Sequence, residues 1–282
     1  MKKTLNSRVE HEVLSLITDV AFANVPAWYG AVRRNLLMDL IVPKNREQHA
    51  PMPLIIWICG GAFRCVSHSA WIPELIPFAQ RGYVVASIEY RTVNDGTFRD
   101  AYSDVKSAIR YLKAHAGEYC IDVNRIAVMG ESAGGTMASI AGTTGNKPVF
   151  VSGDYLEYDS SVQAVVDLYG IVDCTHNPIT FDGRDIPPFM MEDFLGIDYD
   201  EATAREASAI SYIDAHTPPF LIFHGNRDER VPLEQSQRLY EALQAVGVRS
   251  DFYVVDGAGH GADCFYQQEK IELIDTFLKE VL

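Results

Sequence analysis

The chain has 282 residues, a length that suits one large α/β domain. Hydrophobic residues make up 48% of the chain and charged residues 22%, so the composition is that of a globular protein with a sizeable core. The formal net charge of −14 argues against nucleic acid and anionic membranes as partners, because an acidic surface is repelled by both. The charge excludes these two classes of partner without indicating a substrate.

The cysteines and the N-terminus bear on the compartment. No Cys-x-x-Cys spacing occurs, so a zinc or redox motif is not expected, and an odd number of cysteines leaves at least one thiol unpaired. Charged residues such as Arg8 and Glu10 interrupt the stretch that a signal peptide would need to be apolar, and no apolar run has transmembrane length. These features predict a reduced, cytoplasmic enzyme. The cysteines are Cys59, Cys65, Cys120, Cys174 and Cys264.

Short apolar runs alternate with helical patterns along the chain. Such runs suit strands that are buried on both faces of a parallel sheet. In the helical pattern Asp100–Ala116, Val105, Ile109 and Leu112 share one face, with charges on the opposite one. The alternation predicts one domain with a doubly wound, mostly parallel sheet, helices on both faces, and ligands at the carboxyl ends of the strands. The predicted strands are Val20–Val25, Asn35–Val42, Leu54–Cys59, Tyr83–Ile88, Arg125–Met129, Val162–Leu168, Phe220–Phe223 and Phe252–Val255, and the further helices are Leu233–Ala245 and Glu269–Leu282.

One segment breaks this rhythm. Between Ile171 and Pro219 no clear strand appears, and the segment contains Pro187-Pro188-Phe189-Met190-Met191. A connection of this length inside a compact domain is usually a lid or a binding loop, and we predict that role here. The alternative is a pair of short surface helices without contact to a substrate.

A nucleophile is indicated by Gly130-Glu131-Ser132-Ala133-Gly134, which follows the predicted strand Arg125–Met129 and precedes a helical run. In a Gly-x-Ser-x-Gly turn from strand to helix, the serine lies on a sharp bend and its hydroxyl projects from the end of the sheet. Side chains at Gly130 or Gly134 would crowd the neighbouring backbone. The helix that follows directs its N-terminal N–H groups toward an oxygen that becomes negative. We therefore predict that Ser132 is a nucleophile.

The predicted nucleophile needs a base that removes its proton and an acid that orients the base. In sheets of this kind the acid follows the serine in the chain, and the histidine follows the acid. Asp228 lies in the loop between the strand Phe220–Phe223 and a helix opened by Pro232. Its distance from the strand end favours Asp228 as the acid, with Glu229 and Asp173 as alternatives.

His260 is the predicted base. It follows the last predicted strand in a loop with glycine on both sides, where a histidine is poorly placed for core packing. The glycines let this loop bend so that the ring reaches the serine. His224, at a strand end, is interpreted as a structural turn residue, and His68 and His115 as surface or loop residues.

A third element is the glycine-rich run Cys59–Phe63 after the strand that begins at Leu54. Such a turn points successive backbone N–H groups at a carbonyl oxygen, and the N–H of Ala133, the residue after the predicted nucleophile, joins them. Donors of this kind stabilise a transition state by about 3–4 kcal/mol each. We predict an oxyanion hole at this turn.

In this order, the motifs resemble those of the hormone-sensitive-lipase-like carboxylesterases, a group of α/β-hydrolases. Within that group the chain is similar to the bacterial feruloyl and acetyl-xylan esterase branch. The resemblance is carried by Cys59–Phe63, Glu89-Tyr90-Arg91, the Ser132 turn and the Asp228 and His260 loops, and it spans roughly Leu54 to the C-terminus. It implies an α/β-hydrolase fold with a small lid insertion, and acyl transfer through an acyl-enzyme.

Two residues depart from the pattern of that group, which usually has histidine where Cys59 stands and often glycine where Ala62 stands. The backbone N–H groups survive both changes, so the resemblance implies oxyanion donors at Gly61, Ala62 and Ala133. Cys59 is interpreted as a buried, inert cysteine.

The resemblance implies a serine carboxylesterase without metal or organic cofactor that hydrolyses short-chain esters, acetyl or feruloyl esters of plant-derived carbohydrates in particular. The alternatives are an amide-cleaving serine hydrolase, either a peptidase or a formamidase, and a non-catalytic binding relative. Binding relatives commonly lose the base, so the presence of His260 favours turnover. We expect a small-molecule ester as the ligand, and a homo-oligomer is compatible with the sequence. Candidate pocket residues, equally consistent with core or lid packing, are Phe63, Trp71, Phe189, Met190, Met191 and Phe194.

Overall fold

Eight strands form one sheet at the centre of the molecule. The computed structural model describes residues 1–8, 12–28, 30–176, 180–181, 184–185 and 189–282, with the side chains of 180–181, 184–185 and 189–190 outside the description. The eight strands are β1 (Leu14–Ala27), β2 (Val32–Pro43), β3 (Met52–Ile58), β4 (Val84–Ile88), β5 (Ile121–Glu131), β6 (Ala164–Leu168), β9 (Phe220–Gly225) and β10 (Ser250–Val255), and the two-residue strands β7 (Thr180–Phe181) and β8 (Arg184–Asp185) pair separately.

Helices connect the strands and cover the sheet. No helix in the described ranges is long and apolar enough to cross a membrane. Helix α2 begins with a capping box, because the side chain of Thr97 accepts the N–H at Asp100 and the Asp100 carboxylate accepts the N–H of Thr97. The helices are α1 (Ile72–Ala79), α2 (Phe98–Ala114), α3 (Ala116–Tyr119), α4 (Ala133–Thr144), α5 (Phe189–Leu195), α6 (Glu201–Ala207), α7 (Glu234–Ala245) and α8 (Gln268–Val281).

The strand order is β1-β2-β4-β3-β5-β6-β9-β10. β1 pairs antiparallel with β2 and β2 with β4, while the six strands from β4 to β10 are mutually parallel. Their carboxyl ends therefore meet at one edge of the sheet, where the loops after β3, β5, β9 and β10 come together. The prediction of a mostly parallel sheet is confirmed, and each predicted strand lies within or overlaps an observed one.

The core lies on both faces of the sheet. Along β3, Leu54, Ile56 and Ile58 pack in one hydrophobic cluster, whereas Ile55 and Trp57 pack in the other. This alternation follows from the two-residue period of a strand, and both sets are apolar because helices cover both faces. Helices α2, α4 and α7 contribute to the first cluster, and α1 and α8 to the second.

The loop after β3 is joined to the N-terminal hairpin through His68. The Nδ1 of His68 lies 3.0 Å from a carboxylate oxygen of Glu89, and its Nε2 lies 3.2 Å from Asp19 and 3.4 Å from Asp39. His68 is 8% exposed, so the interpretation as a loop residue is confirmed but the interpretation as a surface residue is wrong. The burial arises because carboxylates from three separate segments surround the ring.

The segment from Ile171 to Pro219 contains the short strands β7 and β8, which the sequence did not predict, and the short helices α5 and α6. It is not a detached surface element, because Phe194, Leu195 and Ala207 are buried against the first hydrophobic cluster. Pro187 and Pro188 lie outside the described residues. That this segment acts as a lid stays a prediction.

Asp167, in β6, is buried behind the turn that carries Ser132. One carboxylate oxygen accepts the N–H of Gly170 at 2.9 Å, and the other accepts the hydroxyl of Ser139 at 3.1 Å. Burial raises the pKa of Asp167 to about 6, although both hydrogen bonds favour the charged form. The ionised carboxylate therefore destabilises the fold at neutral pH.

We expect Asp167→Asn to stabilise the protein at pH 8 by about 2 kcal/mol. The unfolded side chain titrates near pH 4 and the folded one at about 6, so stability is lost as the pH rises through this window. Asparagine preserves the contacts, because its amide accepts from Gly170 and donates to Ser139. Urea unfolding at pH 5 and pH 8 checks the prediction, and a gain that is equal at both pH values contradicts it.

Candidate active site

Ser132 lies on a strained turn between β5 and α4. Its φ of 54° and ψ of −122° are unfavourable for a residue with a side chain, and its N–H donates to the carbonyl of Leu168 at 2.9 Å. A Cβ at Gly134 would lie 1.9 Å from the carbonyl oxygen of Ile58, and one at Gly130 would lie 2.3 Å from that of Gly134. Glycine is therefore required at both positions, and the turn packs directly against the end of β3.

The side chains of Ser132, His260 and Asp228 form one hydrogen-bonded chain. His260 Nδ1 lies 2.7 Å from Asp228 Oδ2, and His260 Nε2 lies 2.8 Å from Ser132 Oγ. A carboxylate accepts hydrogen bonds only, so Nδ1 carries the proton that it shares with Asp228. Nε2 then accepts the serine hydroxyl. The structure thus brings the predicted nucleophile, base and acid together.

Asp228 is held as a charged, oriented acceptor. Its side chain is 1% exposed, and its Oδ1 accepts the N–H groups of Arg230 at 2.8 Å and Val231 at 2.9 Å. Burial opposes the charge of Asp228, but hydrogen bonds from His224 and His260 outweigh it and hold its pKa well below the ordinary range. The Asp228 carboxylate is therefore ionised at neutral pH.

His224 is a supporting residue that sequence reasoning missed. It is fully buried at the end of β9, with Nδ1 2.7 Å from the hydroxyl of Ser236 and Nε2 2.9 Å from the carbonyl of Val231. Nε2 also lies 3.3 Å from Asp228. The interpretation as a structural residue holds, and its spacing of four residues from Asp228 was the available signal.

The alternative acids occupy other surroundings. Asp173 accepts hydrogen bonds from Thr175 and forms an ion pair with Arg238, and these contacts hold its pKa below the ordinary value despite its burial. Glu229 is exposed. Asp228 is thus the candidate that the structure places against the His260 ring.

The glycine-rich run after β3 forms a tight loop beside Ser132. Gly61, Ala62 and Phe63 have φ values of 138°, 54° and 60°, a succession that bends the chain sharply. The N–H groups of Gly61 and Ala62 donate no hydrogen bond to any part of the chain that is described. Ala133 is the first residue of α4, where a backbone N–H has no partner in its own helix. These three N–H groups remain available for an incoming oxygen.

Glu131 ties this loop to the serine turn, a contact that sequence reasoning missed. Its Oε1 accepts the N–H of Gly60 at 2.6 Å, and a Cβ at Gly60 would lie 2.5 Å from the same oxygen. Glu131 is 8% exposed, and burial raises its pKa, while the hydrogen bond from Gly60 opposes the rise. One buried carboxylate therefore fixes the loop relative to the nucleophile.

Cys59, which replaces the usual histidine, is buried in this loop. Its Sγ accepts the N–H of Ser67 at 3.3 Å, and its carbonyl accepts the hydroxyl of Tyr90 at 3.1 Å. Burial raises the pKa of the Cys59 thiol to about 11, so the thiol stays protonated at neutral pH. The interpretation of an inert cysteine agrees with these surroundings.

The predicted pocket residues have different positions. Phe63 is buried and stacks on Phe194 of α5 with ring centroids 3.7 Å apart, so the segment from Ile171 to Pro219 contacts the oxyanion loop directly. Trp71 is partly exposed at the start of α1, and Met191 is buried. The side chains of Phe189 and Met190 lie outside the described residues.

Comparisons with known proteins show the family of the chain. The BD-FAE family model matches residues 38–243, well over half of the chain. The chain belongs to the BD-FAE family. Esterase LipC of Mycobacterium tuberculosis is 35% identical to this BD-FAE member over 226 residues, which cover 76% of this chain and 54% of LipC. The probable isoprenylcysteine alpha-carbonyl methylesterase ICMEL1 of Arabidopsis thaliana is 31% identical, with 90% of this chain and 54% of that protein covered.

Among solved structures, a truncated form of a carbohydrate esterase from gut microbiota superposes on this BD-FAE chain with a TM-score of 0.80. The two are 27% identical, and the match covers 96% of this chain and 98% of the other. The chain spans about half the length of the curated relatives it matches. The α/β-hydrolase fold and the resemblance to the hormone-sensitive-lipase-like group are confirmed.

For Asp228→Asn in this BD-FAE member we expect a fall in kcat of about 10⁴-fold on 4-nitrophenyl acetate. The asparagine amide can donate to Nδ1, which favours the tautomer that protonates Nε2 and prevents it from accepting the serine proton. Steady-state kinetics on the folded variant checks this. A loss smaller than about tenfold would assign the acid role to Glu229 or Asp173.

Glu131 provides a second test, with two substitutions that separate shape from hydrogen bonding. Glu131→Leu leaves the Gly60 N–H buried without an acceptor, so we expect kcat to fall at least tenfold with little change in KM, since the oxyanion loop loses its fixed position. Glu131→Gln keeps an acceptor oxygen and should retain most of the activity. Equal activity of the two variants would show that the hydrogen bond to Gly60 does not position the loop.

Proposed function

We propose that this chain is a serine carboxylesterase that hydrolyses short-chain acyl esters through an acyl-enzyme, with acetyl or feruloyl esters of plant-derived carbohydrates as its substrates. The observation that carries the proposal is the hydrogen-bonded chain from Ser132 through His260 to Asp228. Beside it lie the backbone N–H groups of Gly61 and Ala62, which donate no bond within the described residues. A nucleophile in contact with its base, next to a loop with unpaired N–H groups, is the arrangement that attack on an ester carbonyl requires.

In the proposed reaction, Ser132 Oγ attacks the ester carbonyl carbon while His260 Nε2 takes the hydroxyl proton. The carbonyl oxygen becomes negative and accepts hydrogen bonds from Gly61, Ala62 and Ala133. His260 then gives its proton to the leaving alcohol as the carbon–oxygen bond breaks. Water repeats the sequence on the acyl-enzyme and releases the acid, and Asp228 stabilises the imidazolium in both halves.

The relatives support ester hydrolysis in preference to amide hydrolysis. LipC is described as an esterase and ICMEL1 as a probable methylesterase, whereas the structural neighbour at 27% identity is a carbohydrate esterase. The carbohydrate part of the proposal draws on that neighbour, because its match extends over nearly the whole of both chains. The proposal of a carbohydrate ester as substrate therefore rests on resemblance to that neighbour.

The acyl preference is proposed from the packing near the oxyanion loop. Phe63 and Phe194 are buried and stacked there, so two large rings fill the space beside the oxyanion loop. An acetyl group requires none of that space. We therefore expect faster hydrolysis of acetyl than of decanoyl 4-nitrophenyl esters, and the reverse order would contradict the short-chain preference.

The test of function is acetate release from acetylated xylo-oligosaccharides, measured beside 4-nitrophenyl acetate. We expect Ser132→Ala to fold normally and to lose about 10⁴-fold or more of kcat on both, because the nucleophile is gone. Ser15→Ala, on the outer strand β1 and without a side-chain hydrogen bond in the described structure, is the matched control.

The outcomes separate the parts of the proposal. Serine-dependent release from both substrates, with the higher kcat/KM on the sugar ester, supports a carbohydrate acetylesterase. Turnover of 4-nitrophenyl acetate alone keeps the esterase and directs attention to feruloyl esters. Retained activity in Ser132→Ala, or none on either substrate, would overturn the proposed function.

A further inference from the structure

Two aromatic rings join the loop of the oxyanion donors to the loop of the base. Trp71 lies at the start of α1, after the oxyanion loop, and Tyr266 lies just before α8, after the His260 loop. Their ring centroids are 4.5 Å apart with an angle of 27° between the planes, and both side chains are partly exposed. The stacked pair therefore presents aromatic surface to solvent at the carboxyl edge of the sheet.

This pair is connected to the base through a third aromatic residue. The Tyr266 hydroxyl lies 3.1 Å from that of Tyr169, and the Tyr169 ring packs against the His260 ring with centroids 4.9 Å apart. Tyr169 is completely buried. The partly exposed stack thus lies near His260, one buried ring away from the imidazole.

The pair has a rigid support. Trp57 of β3 is 1% exposed and packs edge-to-face against both rings, with centroids 6.0 Å from Trp71 and 6.4 Å from Tyr266. Because a strand holds this ring in place, the partly exposed rings keep one orientation without a ligand. Binding to such a preformed surface requires little ordering of side chains.

The position on the His260 side decides which part of an ester meets the pair. His260 must reach both the serine oxygen and the oxygen of the leaving alcohol, since it delivers the proton to the latter. The alcohol therefore departs along the His260 side. In a sugar ester the alcohol is the carbohydrate, and the apolar C–H face of a pyranose packs well against the face of an aromatic ring.

We propose that Trp71 and Tyr266 form the binding surface for the pyranose ring that carries the ester oxygen. The inference rests on the proposed function, and it adds the residues that recognise the alcohol part of the substrate. The ligand class is a neutral pyranoside esterified on a ring hydroxyl.

A stacked pair that only holds two loops together would have a different effect on kinetics. Loosening the loops displaces the oxyanion donors and the base, which slows every ester alike. Loss of a sugar-binding surface acts on sugar esters alone. The discriminating quantity is therefore the ratio of kcat/KM for acetylated xylobiose to kcat/KM for 4-nitrophenyl acetate.

We expect Trp71→Leu and Tyr266→Leu each to lower this ratio about fivefold, and Trp71→Phe to restore much of it, because a ring face returns. Tyr253→Leu is the matched control, since Tyr253 is 40% exposed and stacks on Phe223 at 5.3 Å on the edge strand β10. The control should keep the wild-type ratio. An unchanged ratio in both Trp71→Leu and Tyr266→Leu would overturn the proposal.

Binding is measured separately from turnover in the Ser132→Ala background, with acetylated xylobiose as the probe and isothermal titration calorimetry as the readout. We expect a saturable heat change that disappears when Trp71→Leu is added and persists with Tyr253→Leu. A change of the same size without Trp71, or no change in Ser132→Ala at any concentration, would count against the sugar surface even if the esterase reaction is established.

Discussion

The close approach of the serine turn to the end of β3 is the constraint on which the site depends. At Gly134 the turn leaves no room for even one methyl group between itself and the carbonyl of Ile58. β3 and β5 are neighbouring parallel strands, so the loop after β3 starts where the turn after β5 makes this contact. That proximity lets Glu131 accept the N–H of Gly60 and so joins the loop after β3 to the turn that carries Ser132.

The acid and the base follow strands that lie on the opposite side of β5 from β3 in the sheet. β6, β9 and β10 follow β5 in the sheet, and the loops after the last two strands bring Asp228 and His260 back toward Ser132. In a parallel sheet the carboxyl ends of all strands lie at one edge, so the loops that carry Ser132, Asp228 and His260 are close together in space. The local sequence has only to supply bends and a reactive side chain at each strand end, as Gly259 and Gly261 do around His260.

This division explains what could be predicted from the sequence. The sequence identified Ser132, Asp228 and His260 because each lies in a short motif after an apolar run. The loops after parallel strands lie at one edge of the sheet, so such motifs come together. Burial of His68 was not, because it requires Asp19, Asp39 and Glu89 from three distant segments to meet. Glu131 was missed for a related reason, since its contact with Gly60 depends on a side-chain direction that no local pattern encodes. The segment after Ile171 has little periodicity, so its two short strands had no sequence signal, whereas a pair of short helices was among the predicted alternatives.

The base depends on β10, which is the strand at one edge of the sheet. β10 is an edge strand that pairs with β9 alone, and the loop that follows it carries His260. Edge elements separate from a sheet at a lower free energy than central strands do. Fraying at this edge would withdraw the imidazole while the serine turn and the oxyanion loop, anchored between inner strands, stay formed. The order along the chain is the same, because a nascent chain that ends before Ser250 contains Ser132 but not the His260 that would accept its proton. Reactivity is thus acquired last and lost first.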